Sequence, residues 1–190
     1  MAVYGIIVEG SYDEAALIEL IKECISDDVQ IIPRPCGGKD RLGKIFPSLL
    51  ESFRYIKQGS SVDKAFIIRD ADGKDPKAIE MNMKSKIAKQ NYPFEVKFII
   101  IVQKLETWLL ADEKAISNVT QTRSGRTVSR VNENLESIVN PKEKLQDILS
   151  NAGVPYTAAV AREIAKELNK STIEYRCPRF KEFHQAVIDC

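Results

Sequence analysis

The sequence predicts an α/β fold: a mainly parallel four-stranded sheet with helices on both faces, followed by a C-terminal helical extension. Two observations carry this. Over the first 110 residues three strand-helix units follow one another and end in a fourth strand, the order that builds a parallel sheet through crossover helices. The centre of the fourth strand, Phe98-Ile-Ile-Ile-Val102, is also too densely apolar for a half-exposed edge.

Taken in order, Val3 to Val8 is the first strand, ending at Glu9-Gly10. Ser11-Tyr-Asp-Glu14 reads as a capping box with Ser11 as N-cap and Glu14 reaching back. The helix after it carries Leu17, Leu20, Ile21, Cys24 and Ile25 on one face. Val29 to Ile32 is the second strand, stopped by Pro33, and Cys36-Gly37-Gly38 is a turn. Leu42 to Phe53 shows helical spacing, with a kink or break expected at Pro47. Lys64 to Arg69 is the third strand, ending at Asp70. Asp75-Pro76 is an N-cap with first-turn proline opening a helix to about Gln90, and Glu95 to Gln103 is the fourth strand. Ser117 to Asn132 holds three Ser, three Thr, three Arg and no acid, and reads as a long loop. Helices are expected from Pro141, from Tyr156 to Leu168 and from Pro178 to Ile188. Residues 1–112 are thus the α/β core, and 113–190 a helical extension packed on it within one domain.

Composition removes several function classes. With 28 basic and 27 acidic residues the net charge is +1, which argues against a polybasic binder held by bulk charge. The longest wholly apolar run is five residues, far short of a membrane span, and the start lacks a basic leader, so a cytoplasmic location is expected. Four cysteines (Cys24, Cys36, Cys177, Cys190) form no CxxC, and His184 is the single histidine. Zinc fingers, His-based zinc sites and Ser-His-Asp triads are therefore excluded.

What remains for chemistry is carboxylate and basic side chains at strand ends, where ligands of open parallel sheets bind. Glu9 follows strand one, Asp70-Ala-Asp72-Gly73 strand three, and Glu106 strand four. Converging carboxylates repel one another unless a cation lies between them, and oxygen-only donors point to Mg²⁺ or Mn²⁺. Taken singly, each acid also serves as a helix cap or a solvated loop residue. Gly37, Gly38, Lys39 and Arg41, with Arg34 and Lys44, form a candidate phosphate rim. Arg123 and Arg126, with Arg130, are candidates for tracking a nucleic-acid backbone, and Lys104 for holding a phosphate. Trp108 reads as a core anchor, Cys24 as buried and His184 as structural.

Ile7-Val-Glu-Gly-Ser-Tyr-Asp-Glu14, the Gly37-Gly38 turn and Arg69-Asp-Ala-Asp-Gly73 resemble the Toprim (topoisomerase–primase) domain, a Rossmann-like fold. Leu105-Glu-Thr-Trp-Leu-Leu-Ala-Asp112 and Cys177-Pro-Arg-Phe-Lys-Glu-Phe183 are similar to a Toprim-like family of unknown function related to the Toprim part of OLD (overcoming lysogenization defect) nucleases. The resemblance implies Glu9 as general acid/base or metal ligand, Asp70 and Asp72 as metal ligands and Glu106 as a further acid. It implies phosphodiester hydrolysis on DNA or RNA, with one or two metal ions clamping the attacking and leaving oxygens. Lys104, close to Glu106 along the chain, is a further catalytic candidate read from the residues alone. It also implies an ATPase partner and roles of the phage-defence kind. The alternative reading is a non-catalytic Toprim-fold interaction module regulating a neighbouring ATPase. A receiver-like phosphoacceptor at Asp70 fits badly, because Glu9 meets Gly10 rather than a second acid. With no topoisomerase tyrosine located and no primase zinc region, those two activities are not expected.

Overall fold

The computed structural model describes residues 1–25, 28–56 and 61–189; Cys190 lies outside them. Strands β1 (Ala2–Val8), β2 (Val29–Pro35), β3 (Lys64–Asp70) and β4 (Glu95–Ile101) form a sheet in the order β2-β1-β3-β4. Every pairing is parallel. Helices α1 (Ser11–Cys24), α2 (Lys39–Ser52) and α3 (Pro76–Ile87) are the crossovers. The extension holds α4 (Glu106–Leu109), α5 (Glu113–Ser124), α6 (Pro141–Asn151), α7 (Ala158–Glu167), α8 (Lys170–Arg176) and α9 (Phe180–Ile188).

Alternate strand residues feed two cores. Ile6, Val8, Phe66, Ile68, Ile99 and Ile101 face the larger one, shared with α1 and the helical extension. Ile7, Ala65 and Ile67 face the smaller one, under α2 and α3. In the larger core Trp108 is buried and meets Phe180 edge-on at 4.9 Å and Phe183 at 5.1 Å. That aromatic triplet ties α4 to α9. His184 Nδ1 lies 2.5 Å from Glu174 Oε1 on α8.

Several expectations need correction. Strand β4 is an edge strand after all, with Phe98 and Ile100 only half-buried. The N-cap of α1 is Gly10, and its N–H donates to Asp13 Oδ2 at 2.9 Å, so Asp13 rather than Glu14 closes the box. Strand β2 does not stop at Pro33. The Cys36 N–H donates to the Val8 carbonyl, which turns Arg34 and Cys36 toward β1 and leaves Pro33 and Pro35 on the free side. There their missing donors cost no ladder bond, which is where an edge strand tolerates proline. Helix α2 runs through Pro47 without interruption in its assignment. Residues 113–124, taken partly as loop, form α5, with Asp112 as N-cap accepting from Lys114 and Ala115 and Gly125 closing it at φ 72°. Its four buried residues, Ala115, Ile116, Val119 and Thr120, supply the helical face that serine and threonine content disguises. Helix α8 was not expected at all; Asn169 caps it by accepting from Thr172.

Candidate functional site

The carboxyl ends of β1 and β3 lie side by side because the two strands pair directly. Glu9 Oε1 accepts from the Asp70 N–H at 3.1 Å, and Asp70 Oδ1 accepts from the Leu105 N–H at 3.1 Å. Those two bonds stitch three strand ends together through side chains. The Gly37-Gly38 turn joins the same edge: Gly38 donates its N–H to the Glu9 carbonyl at 2.7 Å. Gly37 at φ 77° and Gly38 at φ 128° hold backbone shapes that side-chain-bearing residues rarely adopt.

The acids divide into two groups. In the first, burial pushes the Asp70 carboxyl well above the usual range, and the charges of Asp13, Glu9 and Glu106 push the same way. Asp13 is raised to about 6, first by burial and further by Glu106, against the bond from Gly10. Glu9 is raised by burial, with Asp13 and Asp72 adding to it. Glu106 is itself buried at the start of α4, where its Oε1 accepts from the Tyr156 hydroxyl at 3.0 Å. Burial and that neighbouring carboxylate hold the Tyr156 hydroxyl far above its ordinary value.

Asp72 belongs to the second group. It sits at φ 48°, bonds its N–H to the Gln103 carbonyl, and turns its carboxylate to Lys104 at 2.6 Å and to Lys39. Burial opposes its ionisation, but the hydrogen bonds from Lys104 and Lys39 outweigh that and lower its pKa. The DxD pair therefore faces two ways: Asp70 into the acid cluster, Asp72 into a lysine clamp.

The remaining predicted contacts separate. Lys39 and Lys104 stand at the acidic edge through Asp72. Arg41 is exposed in the first turn of α2, next to Gly37. Arg123 instead makes a two-pronged bond to Glu163 of α7, at 2.7 and 2.6 Å, and Arg126 donates to the Asn151 carbonyl at the end of α6. Both are engaged by the helical extension. Burial pushes the thiols of Cys24 and Cys177 up to about 12 and that of Cys36 up to about 11, so none is an activated nucleophile.

Sequence reasoning passed over three residues of this site. Asp13 reads as part of a capping motif, and as the third residue past the Gly10 N-cap it turns back to the Gly10 N–H, next to Glu9. Tyr156 precedes α7, and Lys142 in the first turn of α6 lies 4.7 Å over the Tyr12 ring and offsets the Asp13 charge. No local motif announces either, because both arrive from the helical extension.

Glu9, Asp13, Asp70 and Glu106 are the donors available to a divalent ion at this edge. Their chemistry fits: four oxygen donors, three of them raised by burial and mutual repulsion, with no nitrogen or sulfur ligand among them. Their present placement is looser than a ligand shell. Among the described residues no three acidic, histidine or cysteine side chains converge where one ion could be held. Glu9, Asp70 and Glu106 each commit an oxygen to a protein donor instead.

The fold and this edge define an all-parallel α/β protein with a partly buried group of carboxylates at its strand ends. The chain belongs to the family described as domain of unknown function DUF4276, whose match spans residues 8–188. No curated protein matches the sequence. Among solved structures the chain is similar to the C-terminal region of the Xanthomonas campestris pv. campestris OLD protein, at 14% identity and a TM-score of 0.45 over 95% of each chain. A likeness of that size lends no weight to a function. Among the described residues no helix is long and apolar enough to cross a membrane.

Proposed function

We propose that the chain is a Mg²⁺- or Mn²⁺-dependent nuclease that works on DNA or RNA together with a partner such as an ATPase. The observation that carries this reading is the carboxylate cluster itself, with Asp13 raised to about 6 and Asp70 higher than its ordinary range at one sheet edge. A protein gains nothing in stability from burying acids against one another, so the cluster is better explained by a cation it binds.

Glu9, Asp13, Asp70 and Glu106 would hold the metal, which would supply an activated water and charge neutralisation at a phosphate. Lys39 and Lys104 would meet the non-bridging phosphate oxygens, held in place by Asp72, which stands between them. Glu9, half-buried and with its pKa raised by burial, would take the proton of the attacking water through the oxygen not bonded to the Asp70 N–H. Tyr156 fixes one oxygen of Glu106 and so orients the other.

The test is incubation of the purified chain with single- and double-stranded DNA and RNA and Mn²⁺, alone and with a candidate ATPase. Cleavage should vanish in EDTA and fall about a hundredfold or more in Glu9→Gln and Asp70→Asn, the usual worth of a lost acid–base group. Cleavage that survives both variants would discard the mechanism. A chain that binds Mn²⁺ and cleaves nothing points to the non-catalytic module.

A further inference from the structure

The two edges of the sheet are built differently. At β2 the outward positions include Pro33 and Pro35, which have no N–H to offer, with Arg34 between them. At β4 the Ile101 carbonyl accepts from the Ala71 N–H, so Ile101 and alternate residues before it turn their backbone toward β3. Phe98, Ile100 and Val102 therefore present N–H and C=O groups outward, with no proline among them. This edge is the floor of a groove lined by consecutive residues from Lys97 to Val102, between α3 and α9. An open, apolar, proline-free edge is a template for another strand.

We propose that β4 is a self-association surface, on which two copies pair β4 with β4 antiparallel about a two-fold axis to give one continuous eight-stranded sheet. The charges bordering the groove are self-complementary. Lys77 and Glu80 on α3 border it on one side, Arg179 and Glu182 at the start of α9 on the other. A two-fold axis runs each helix antiparallel to its own copy; with the axis passing midway between the base and the acid of each helix, each base would meet the partner's acid, in exchange for the present pairs of Glu80 with Lys84 and of Glu182 with Arg179. An interface made of one patch meeting itself needs this reciprocity. Antiparallel pairing also matches the outward groups of Phe98, Ile100 and Val102 to the same groups of the second copy.

Light scattering coupled to gel filtration, from about 1 to 200 µM, a span that brackets micromolar dissociation constants, tests this on the full chain. The mass should rise from 21.4 kDa toward twice that value. Ile100→Pro removes an outward donor while leaving the β3 ladder intact, and should stay monomeric while retaining its far-UV circular dichroism. Should it fail to fold, Lys77→Glu, an exposed change, decides. It should weaken association about tenfold, and Lys77→Glu/Glu80→Lys, which restores one base and one acid, should recover it. A wild-type chain still monomeric at the top concentration overturns the proposal. So does an unchanged dimer in both Ile100→Pro and Lys77→Glu.

Discussion

Replacing Asp13 by Asn isolates the cost of holding a carboxylate charge in a largely desolvated place beside Glu106. Moving a carboxyl from its ordinary 3.8 to about 6 is worth about 3 kcal/mol, at 1.36 kcal/mol for each pH unit. The sign follows from proton linkage. The folded chain holds this proton more tightly than the unfolded one, so the associated stability is full below 3.8 and is lost as pH rises through about 6. Asn keeps an oxygen to accept the Gly10 N–H and removes the charge. It also gives up a favourable acid in the first turn of α1, worth roughly 0.3–1 kcal/mol. The net expectation is a gain of about 2 kcal/mol at pH 7.5, or a melting temperature higher by roughly 4–8 °C for a chain of this size. At pH 4 the carboxyl is protonated and the gain should disappear. Urea titrations at the two pH values measure this. A variant less stable than wild type at pH 7.5, or equally changed at both, would refute the argument that burial and the Glu106 charge make the ionised Asp13 costly.

The same cluster predicts that Mn²⁺ at about ten times its dissociation constant adds about 1.4 kcal/mol, raising the melting temperature by roughly 3–6 °C. The rise should shrink at pH 5, where Asp13 is mostly protonated, and be absent in Asp70→Asn; differential scanning fluorimetry reads both. Gly5→Ala in β1 should destabilise by about 1–3 kcal/mol in urea titrations, because a Cβ there would stand 2.6 Å from the Phe53 ring. Phe183→Ala should cost about 3–5 kcal/mol by the same measurement, since its ring is fully buried against Trp108 and Phe180. Asp72→Asn should release Lys39 and Lys104, lowering phosphate-backbone affinity in filter-binding assays with little change in melting temperature.

The α/β core was legible because its strands carry dense β-branched runs and its helices open on signals such as Asp75-Pro76, which caps α3 as read. The boundaries that failed did so for local reasons. Pro33 looks like a stop only until the strand's edge position is known, since the cost of a proline depends on which side its nitrogen faces. Helix α5 hides behind serine and threonine because its apolar face is narrow. At the candidate site, Glu9, Asp70 and Glu106 could be named from strand ends alone. The lysine clamp on Asp72 could not, since Lys39 and Lys104 lie 33 and 32 residues away along the chain and meet it only after folding. Asp13 was visible but given a different task.

The prolines of β2 bear on how large an assembly of this chain can grow. A sheet that is receptive on both sides polymerises, because each added copy exposes a fresh edge for the next. Here the side opposite β4 ends in Pro33 and Pro35, whose ring nitrogens cannot extend a ladder. Pairing at β4 would then use the single receptive side of each copy and leave a proline-terminated margin at both outer ends. The stoichiometry would be fixed at two by covalent structure, with no need for chaperoning or dilution to keep the chain from forming filaments.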